Sequence, residues 1–189
     1  MRRIVKPKNS KARNLVYKKG RDNSAIKDIL LVEQHRICAY TETYFDRSSK
    51  AEIEHFNPTL KYTDEDNYEN YFAVKAQWNN EKGGVPRWHK HQPLIHPTDE
   101  KFEGRIKYRD GDIYAEDDDI EAKNLIQYLK LDDIELTIER IEYIQRQRNQ
   151  IKNSGKDPLT HFNTLLKEFP KDVYFIRAIQ EEFDIQLNL

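Results

Sequence analysis

The sequence predicts an α+β fold, in which two short strands in the first half of the chain are followed by amphipathic helices. Residues 50–54 alternate between charged and less polar side chains, and residues 71–74 form a second short apolar segment, so we expect a strand at each. Apolar side chains at helical spacing predict one helix over residues 24–36 and a helical bundle from residue 117 onward.

Turn and capping signals define the elements of the second half. The Asp110-Gly111 pair lies between two short apolar segments and predicts a β-hairpin, because Asp-Gly favours a two-residue turn. The acidic residues at 117–119 are interpreted as the N-cap of a helix rather than as a metal site. Two further helices are predicted to begin near Pro158 and Val173.

The longest predicted helix covers residues 132–152 and needs one apolar face for packing. Arg140 is predicted to lie on its solvent side, with the other basic side chains of the segment. The predicted interior stripe consists of Ile134, Ile138, Ile141 and either Ile144 or Tyr143.

Length and charge distribution suggest one domain with a helical extension. The chain has 189 residues, a net charge of −1 and one cysteine, which rules out an internal disulfide and fits a reducing cytoplasm. Residues 1–21 contain nine Lys or Arg and no acid, so residues 1–22 are predicted to be a basic arm. A central segment at 23–116 and a helical region at 117–189 follow. No apolar stretch of membrane-spanning length is evident.

A carboxylate and an imidazole stand side by side where the first predicted strand ends. Glu54 and His55 are followed by Asn70, 15 residues after His55, and by Asn79, 24 residues after it. A metal-assisted hydrolase needs an acid to hold a cation, a neutral His to accept a proton from water and amides to orient both. Such a site requires Glu54, His55 and Asn79 to face one cleft.

These residues resemble the HNH endonucleases, and in particular their PtuB-like branch, whose members are partners of ATPases in bacterial anti-phage defence. The motifs that carry the resemblance are Cys38-Ala39-Tyr40, Glu54-His55-Phe56-Asn57-Pro58, Asn79-x-x-Lys82-Gly83 and Pro93-Leu94-Ile95-His96-Pro97. The resemblance covers roughly residues 1–150. It implies a ββα-metal core, a metal-dependent endonuclease acting on DNA, and an ATPase partner.

The resemblance also implies a role for each site residue. His55 would be the general base, Glu54 and Asn79 would hold Mg²⁺ or Mn²⁺, and Asn70 would fix the loop that follows His55. Family members often have Asp at the position of Glu54, so the longer side chain could bind through water. Predicted contacts with nucleic-acid phosphates come from basic residues: Lys82, Arg87, Arg2 and Arg3.

The chain departs from the resemblance at the zinc knuckle found in many HNH proteins. Two Cys-x-x-Cys pairs are replaced here by residues 38–41 and 75–78, which retain one thiol, Cys38. Structural zinc needs four ligands, so we expect no structural zinc. The side chains predicted to hold the loops together instead are Tyr40, Tyr44, Phe72 and Trp78.

Two other classes of function stay open at this point. The chain could bind nucleic acid without cleaving it, or it could be an adaptor whose C-terminal helices dock a partner. A second metal cluster could be read from His89, His91 and His96, but a polar loop explains these residues as well, because no Cys or acid completes the set.

Overall fold

The computed structural model describes residues 1–187 and has the α+β class that the sequence predicts. Two antiparallel two-stranded sheets are formed by β1 (Ala51–His55) with β2 (Tyr71–Lys75) and by β3 (Lys107–Arg109) with β4 (Asp112–Tyr114). The helices are α1 (Ser24–Glu33), α2 (Ala76–Lys82), α3 (Val85–Lys90), α4 (Phe102–Arg105), α5 (Ile120–Leu129), α6 (Ile134–Ser154), α7 (Pro158–Glu168) and α8 (Ile176–Phe183). Short 3₁₀ helices occur at Lys11–Asn14, Tyr68–Asn70 and Pro170–Asp172.

Strands β1 and β2 and helix α2 form one continuous unit at the centre of the first half. In the β1–β2 ladder Glu54 lies opposite Phe72 and His55 lies opposite Tyr71. Helix α2 begins directly after β2, earlier than the sequence indicated, because Lys75 is both the last residue of the strand and the N-cap of the helix. The helix therefore packs back on both strands and brings its polar residues over the end of β1.

The interior consists of two apolar clusters, and helix α5 belongs to the first of them. The first cluster joins the N-terminal segment, α1, the β1–β2 sheet and α5, and its centre includes Tyr40, Phe72 and Tyr128. The second cluster joins α6, α7 and α8 around Phe162 and Phe175. Within residues 1–187, no helix combines the length and the apolar character needed to cross a bilayer.

The segment predicted to be a basic arm packs on the first cluster instead of extending from it. Met1, Ile4 and Ala12 are buried, and the Ile4 amide donates to the carbonyl of Pro97 at 2.9 Å. The ammonium group of Lys6 donates to the carbonyls of Tyr68 and Tyr71 and lies over aromatic rings. Apolar residues between the charges, together with these lysine contacts, hold the segment in place.

Glu42 joins the two ends of the described chain. Its carboxylate accepts from the backbone amide of Arg2 at 3.0 Å and from that of Arg177 at 3.4 Å. Its own carbonyl accepts from the amide of Phe175 at 2.9 Å. Glu42 is only 3% exposed, so both terminal segments meet at one buried carboxylate.

Helix α6 turns inward only part of the face that was predicted, since Tyr143 and Ile144 are buried as expected. Ile134, Ile138 and Ile141 are 68%, 49% and 48% exposed, whereas Arg140 is buried. The guanidinium group of Arg140 donates to the carbonyls of Gly111 at 2.9 Å and Leu131 at 3.1 Å. The prediction that Arg140 faces solvent is therefore wrong, because these two carbonyls satisfy a charge that helical periodicity alone places outside.

The predicted hairpin is present and packs its turn against α6. Asp110 and Gly111 both have positive φ, as a two-residue hairpin turn requires. A Cβ atom at Gly111 would lie 2.7 Å from the side chain of Ile141, so glycine is needed for the close approach as well as for the turn. Helix α3 contains His89 and lies in a segment that the sequence suggested was a polar loop.

Candidate functional site

His55 is the last residue of β1, and its ring is enclosed by aromatic side chains. The ring of Tyr17 meets it edge-on at a centroid distance of 4.6 Å, and the ring of Tyr71 does so at 5.2 Å. The side chain of His55 is only 3% exposed and faces away from that of Glu54, because successive strand residues point to opposite sides. The imidazole therefore has a fixed position at the bottom of a cleft.

A carboxylate lies beside the buried edge of this imidazole. The Nε2 atom of His55 is 3.1 Å from an oxygen of Asp66, which is also buried. The ring is turned so that an Nε2–H bond would not point directly at this oxygen, and the contact is a close approach rather than an aligned hydrogen bond. With Nε2 buried against Asp66, Nδ1 is the ring nitrogen that could act on a molecule in the cleft.

Burial keeps the imidazole neutral at physiological pH. Desolvation, with smaller effects of the Lys61 and Lys82 charges, lowers the pKa of His55 from 6.5 to about 3. Burial also raises the pKa of Asp66 above its usual value, although hydrogen bonds from neighbours oppose that shift. A neutral imidazole has a ring nitrogen that can accept a proton, but the burial that keeps it neutral also opposes the charged form that would result.

Asn70 fixes the loop that contains Asp66 and the residues after His55. Its side-chain oxygen accepts from the Asn57 amide at 2.7 Å, and its side-chain nitrogen donates to the Asn57 carbonyl at 3.1 Å. The same nitrogen donates to Asp66 at 2.9 Å. The structure thus places Asn70 where the sequence predicted a loop-fixing residue, and links it to His55 through Asp66.

Asn79 lies on α2 and pairs with Glu52 across the helix–strand contact. Its side-chain nitrogen donates to a carboxylate oxygen of Glu52 at 2.9 Å, so its own oxygen remains free for another partner. Glu52 is part-exposed, and hydrogen bonds from Lys50 and Asn79 lower its pKa. An ionised carboxylate and an amide oxygen therefore lie together near the cleft.

Glu54 occupies a different place from the one its predicted role requires. Its carboxylate is fully buried and forms a salt bridge with Lys82 and a hydrogen bond with the hydroxyl of Tyr40. Lys82 also donates to the carbonyl of His55 at 2.8 Å. Binding of a cation by Glu54 would require these partners to be exchanged, and its metal role stays a prediction.

The cleft is shared by His55 and Asn79 and is open to solvent. Its volume is about 400 Å³, and its walls are the end of β1, the loop after it and the C-terminal part of α2 up to Gly84. A second depression of about 380 Å³ adjoins it, since Ile53, Lys61 and Asn79 line both. Glu52 lies in this second depression.

The other basic residues predicted to contact nucleic acid have internal partners. The backbone amides of Arg2 and Arg3 donate to Glu42 and Glu103, and the Arg3 guanidinium group donates to the carbonyl of Thr98. Arg87 donates to the carbonyls of Gln127 and Tyr128. Arg2, Arg3 and Arg87 do not line the cleft, and Lys82, which does, is paired with Glu54.

The three histidines of the alternative metal cluster do not come together. The Nδ1 atom of His91 contacts the Arg87 carbonyl, and His96 is bonded to Thr98. Among residues 1–187, no group of three or more His, Cys, Asp or Glu side chains is arranged to hold a metal ion. Glu52 and Asn79 offer one carboxylate and one amide oxygen, but the Asn79 nitrogen donates to one oxygen of Glu52 and the ammonium group of Lys50 lies 2.8 Å from the other, so binding of an ion by Glu52 would also require these partners to be exchanged.

The segments 38–41 and 75–78, which replace the Cys-x-x-Cys pairs of a zinc knuckle, are held together by aromatic packing and by one contact of the Cys38 thiol. Tyr40 and Phe72 are buried with ring centroids 6.2 Å apart, and Tyr44 and Trp78 are partly buried. The buried sulfur of Cys38 accepts from the amide of Lys75 at 3.4 Å. Two of the four predicted aromatics therefore lie in the core that links the two loops.

Two residues of the site, Asp66 and Glu52, were not predicted from the sequence. Glu52 lies two positions before Glu54, so strand alternation was a signal that both acids lie on the face of β1 opposite His55; Glu52 lines the adjoining depression and is linked to the cleft through Asn79. Asp66 follows Asp64 and Glu65 in a polar loop, and no local feature distinguishes it from them.

No protein-family model matches this chain, and the searches of curated proteins and of solved structures gave no match.

Proposed function

We propose that this protein is a metal-dependent endonuclease of the HNH type, with a ββα-metal core formed by β1, β2 and α2. The observation that supports it most directly is a neutral, buried His55 that faces Asp66 on one side and a cleft shared with Asn79 on the other. The order strand, strand, helix and the positions of His55 and Asn70 agree with the resemblance of the sequence motifs. The role of defence effector with an ATPase partner rests on that resemblance alone.

His55 acts as the general base in this proposal. Water in the cleft loses a proton to Nδ1 as its oxygen bonds the phosphorus atom of a phosphodiester; the bond from phosphorus to the 3′ oxygen breaks, and the leaving oxygen takes a proton from solvent water. In this proposal the imidazole turns so that its Nε2–H bond aligns with Asp66, 3.1 Å away; Asp66 then keeps the tautomer with a bare Nδ1 and stabilises the imidazolium ion that forms. Asn70 holds Asp66 and the loop, so that both partners keep their positions.

Glu52 and Asn79 are the residues that would hold a hard cation such as Mg²⁺ or Mn²⁺. When bound, such a cation supplies electrostatic stabilisation of the phosphate and of the leaving oxygen. Lys82, paired with Glu54, positions the end of β1, because its ammonium group donates to the backbone carbonyl of His55.

Cleavage of plasmid DNA tests the proposal. We expect the purified protein, with its ATPase partner where one co-purifies, to nick supercoiled DNA with Mg²⁺ or Mn²⁺ and to stop when EDTA is added. Loss of supercoiling is measured on agarose gels. Equal cleavage with and without EDTA, or cleavage only by a contaminant that separates on a second column, would contradict it.

Replacing Asp66 by asparagine is expected to lower the cleavage rate by about 10–100-fold. The amide preserves the contact with Asn70 but can donate to Nε2, which moves the imidazole proton to Nδ1 and removes the base from the cleft. The readouts are the rate of nicking and the ¹⁵N chemical shifts of the His55 ring, which report the tautomer. Asp64→Asn, in the same loop and exposed, is the matched control; an unchanged tautomer in Asp66→Asn would disprove the positioning role.

Glu52→Gln is expected to raise the Mg²⁺ concentration needed for half-maximal cleavage by about tenfold or more, since the amide lacks the negative charge that attracts the ion. Titration of the nicking rate against Mg²⁺ measures the change. Glu81→Gln, on the same helix as Asn79 but paired with Lys130, is the control. If Glu52→Gln keeps the wild-type Mg²⁺ dependence, the cation is held elsewhere, and Glu54 becomes the residue to test.

A non-cleaving nucleic-acid-binding subunit is the second candidate. It is favoured by the buried salt bridge between Glu54 and Lys82, which removes the acid next to His55 from the cleft. It predicts DNA binding without metal-dependent cleavage in the same plasmid experiment.

A further inference from the structure

Two tyrosines and two lysines form a cluster at the mouth of the cleft that contains His55. The ring of Tyr17 contacts His55 and lies 5.9 Å from the ring of Tyr62, centroid to centroid. The ammonium group of Lys61 lies 5.3 Å from each tyrosine ring, and that of Lys19 lies 5.6 Å from Tyr62. Tyr62 is therefore one aromatic ring away from His55 and surrounded by positive charge.

Tyr62 presents its ring to solvent in an unfavourable backbone conformation. It is 50% exposed and its φ is +71°, a region that bulky L-residues rarely adopt. Its backbone amide lies 3.4 Å from Asp66, in the same loop that carries the partner of His55. Strained backbone of this kind concentrates at functional sites.

The neighbouring depression extends this cluster into a basic groove. Arg21, Lys27 and Lys61 line it with Tyr17, together with two acids, Asp22 and Glu52, and it adjoins the cleft of His55. Tyr62 and Lys19 lie beside the groove, next to Tyr17 and Lys61. Within residues 1–187 these three basic side chains and Lys19 form no salt bridge, whereas Lys50, Lys82 and Lys107 do. The charges along the groove are thus available to phosphates.

We propose that this groove binds a single strand of DNA, with one base stacked on Tyr62 and the adjacent phosphates against Lys61 and Lys19. A base that covers one face of the Tyr62 ring displaces an ammonium group, which then lies beside the phosphate of the same nucleotide. An intact duplex cannot offer that face, because its bases are already stacked on each other. The inference names the substrate strand of the proposed nuclease and rests on that proposal for its biological role, but the binding itself needs no catalysis.

The test measures binding without metal, so that no cleavage occurs. A fluorescein-labelled oligothymidine of about 12 nucleotides is titrated with protein in EDTA, and anisotropy gives the Kd. We expect Tyr62→Ala to weaken binding by about tenfold or more, and Tyr62→Phe to stay within about twofold of wild type, since phenylalanine keeps the stacking face. Lys61→Gln should weaken binding and reduce its salt dependence.

Phe169→Ala is the matched control, because Phe169 is also 50% exposed but lies at the end of α7. Thermal unfolding confirms that each variant is folded. Wild-type affinity in Tyr62→Ala, an equal loss in Phe169→Ala, or tighter binding of a blunt duplex than of the single strand would overturn the inference. The binding and cleavage measurements decide different proposals. If the protein cleaves DNA but Tyr62→Ala binds the oligonucleotide as tightly as wild type, only the stacking site is refuted. If binding depends on Tyr62 but the plasmid is not cleaved with metal, only the nuclease is refuted.

Discussion

His55→Ala is expected to lower metal-dependent DNA cleavage by about 10²–10⁴-fold, the usual contribution of a general base. Burial lowers the pKa of the imidazole to about 3, so the base is neutral in the wild-type protein near pH 7. The rate of plasmid nicking, measured at saturating Mg²⁺ or Mn²⁺, gives the effect.

His161→Ala is the control for loss of a buried histidine. His161 is 8% exposed and bonds Gln147 at 2.8 Å within the second cluster, so its removal also leaves a polar partner unsatisfied but does not touch the cleft. We expect His161→Ala to cleave at close to the wild-type rate at temperatures where it is folded. If His55→Ala cleaves as fast as wild type, or if both variants lose activity equally, His55 is not the base.

Lys82→Met is expected to destabilise the protein by about 3–5 kcal/mol. The side chains of Lys82 and Glu54 are 3% and 0% exposed, so removal of the ammonium group leaves a buried carboxylate without its counter-charge. Methionine has similar length and apolar character, which limits any cavity effect. Urea unfolding followed by circular dichroism measures the free energy of unfolding.

The exposed pair of Lys130 and Glu81 provides the comparison. Its atoms are 2.8 Å apart, but the side chains are 40% and 30% exposed, so Lys130→Met should cost about 1 kcal/mol or less. The double variant Glu54→Gln with Lys82→Met should recover much of the lost stability, because no charge remains buried. A cost for Lys82→Met no larger than that for Lys130→Met would show that the buried pair is not held together as described.

Elements with strong local signals were predictable from the sequence. Asp119 accepts from the amide of Ala122, as an N-cap should, and the Asp110-Gly111 pair forms the hairpin turn. The helices that begin at Ser24 and Pro158 also follow the predicted pattern. Each depends on residues close in the chain, which is why sequence patterns suffice.

Features that depend on distant partners were not predictable in the same way. Arg140 is buried because carbonyls from two other loops meet it, and Glu54 is buried because Lys82 comes from a helix 28 residues later. Asp66 reaches His55 only through the fold of the intervening loop. The sequence therefore indicated His55, Asn70 and Asn79 as neighbours but not which acids would accompany them.

The contacts of Glu42 also constrain how the chain reaches its native state. Amides of Arg2 and Arg177 meet at its carboxylate, and the second of these is 135 positions along the chain from Glu42. Closing so large a loop has an entropic cost that no local interaction offsets beforehand, so this junction is expected to form late during folding. The contacts that the segments around Arg2 and Arg177 make with Glu42 are therefore expected to form after the folding nucleus and not as part of it.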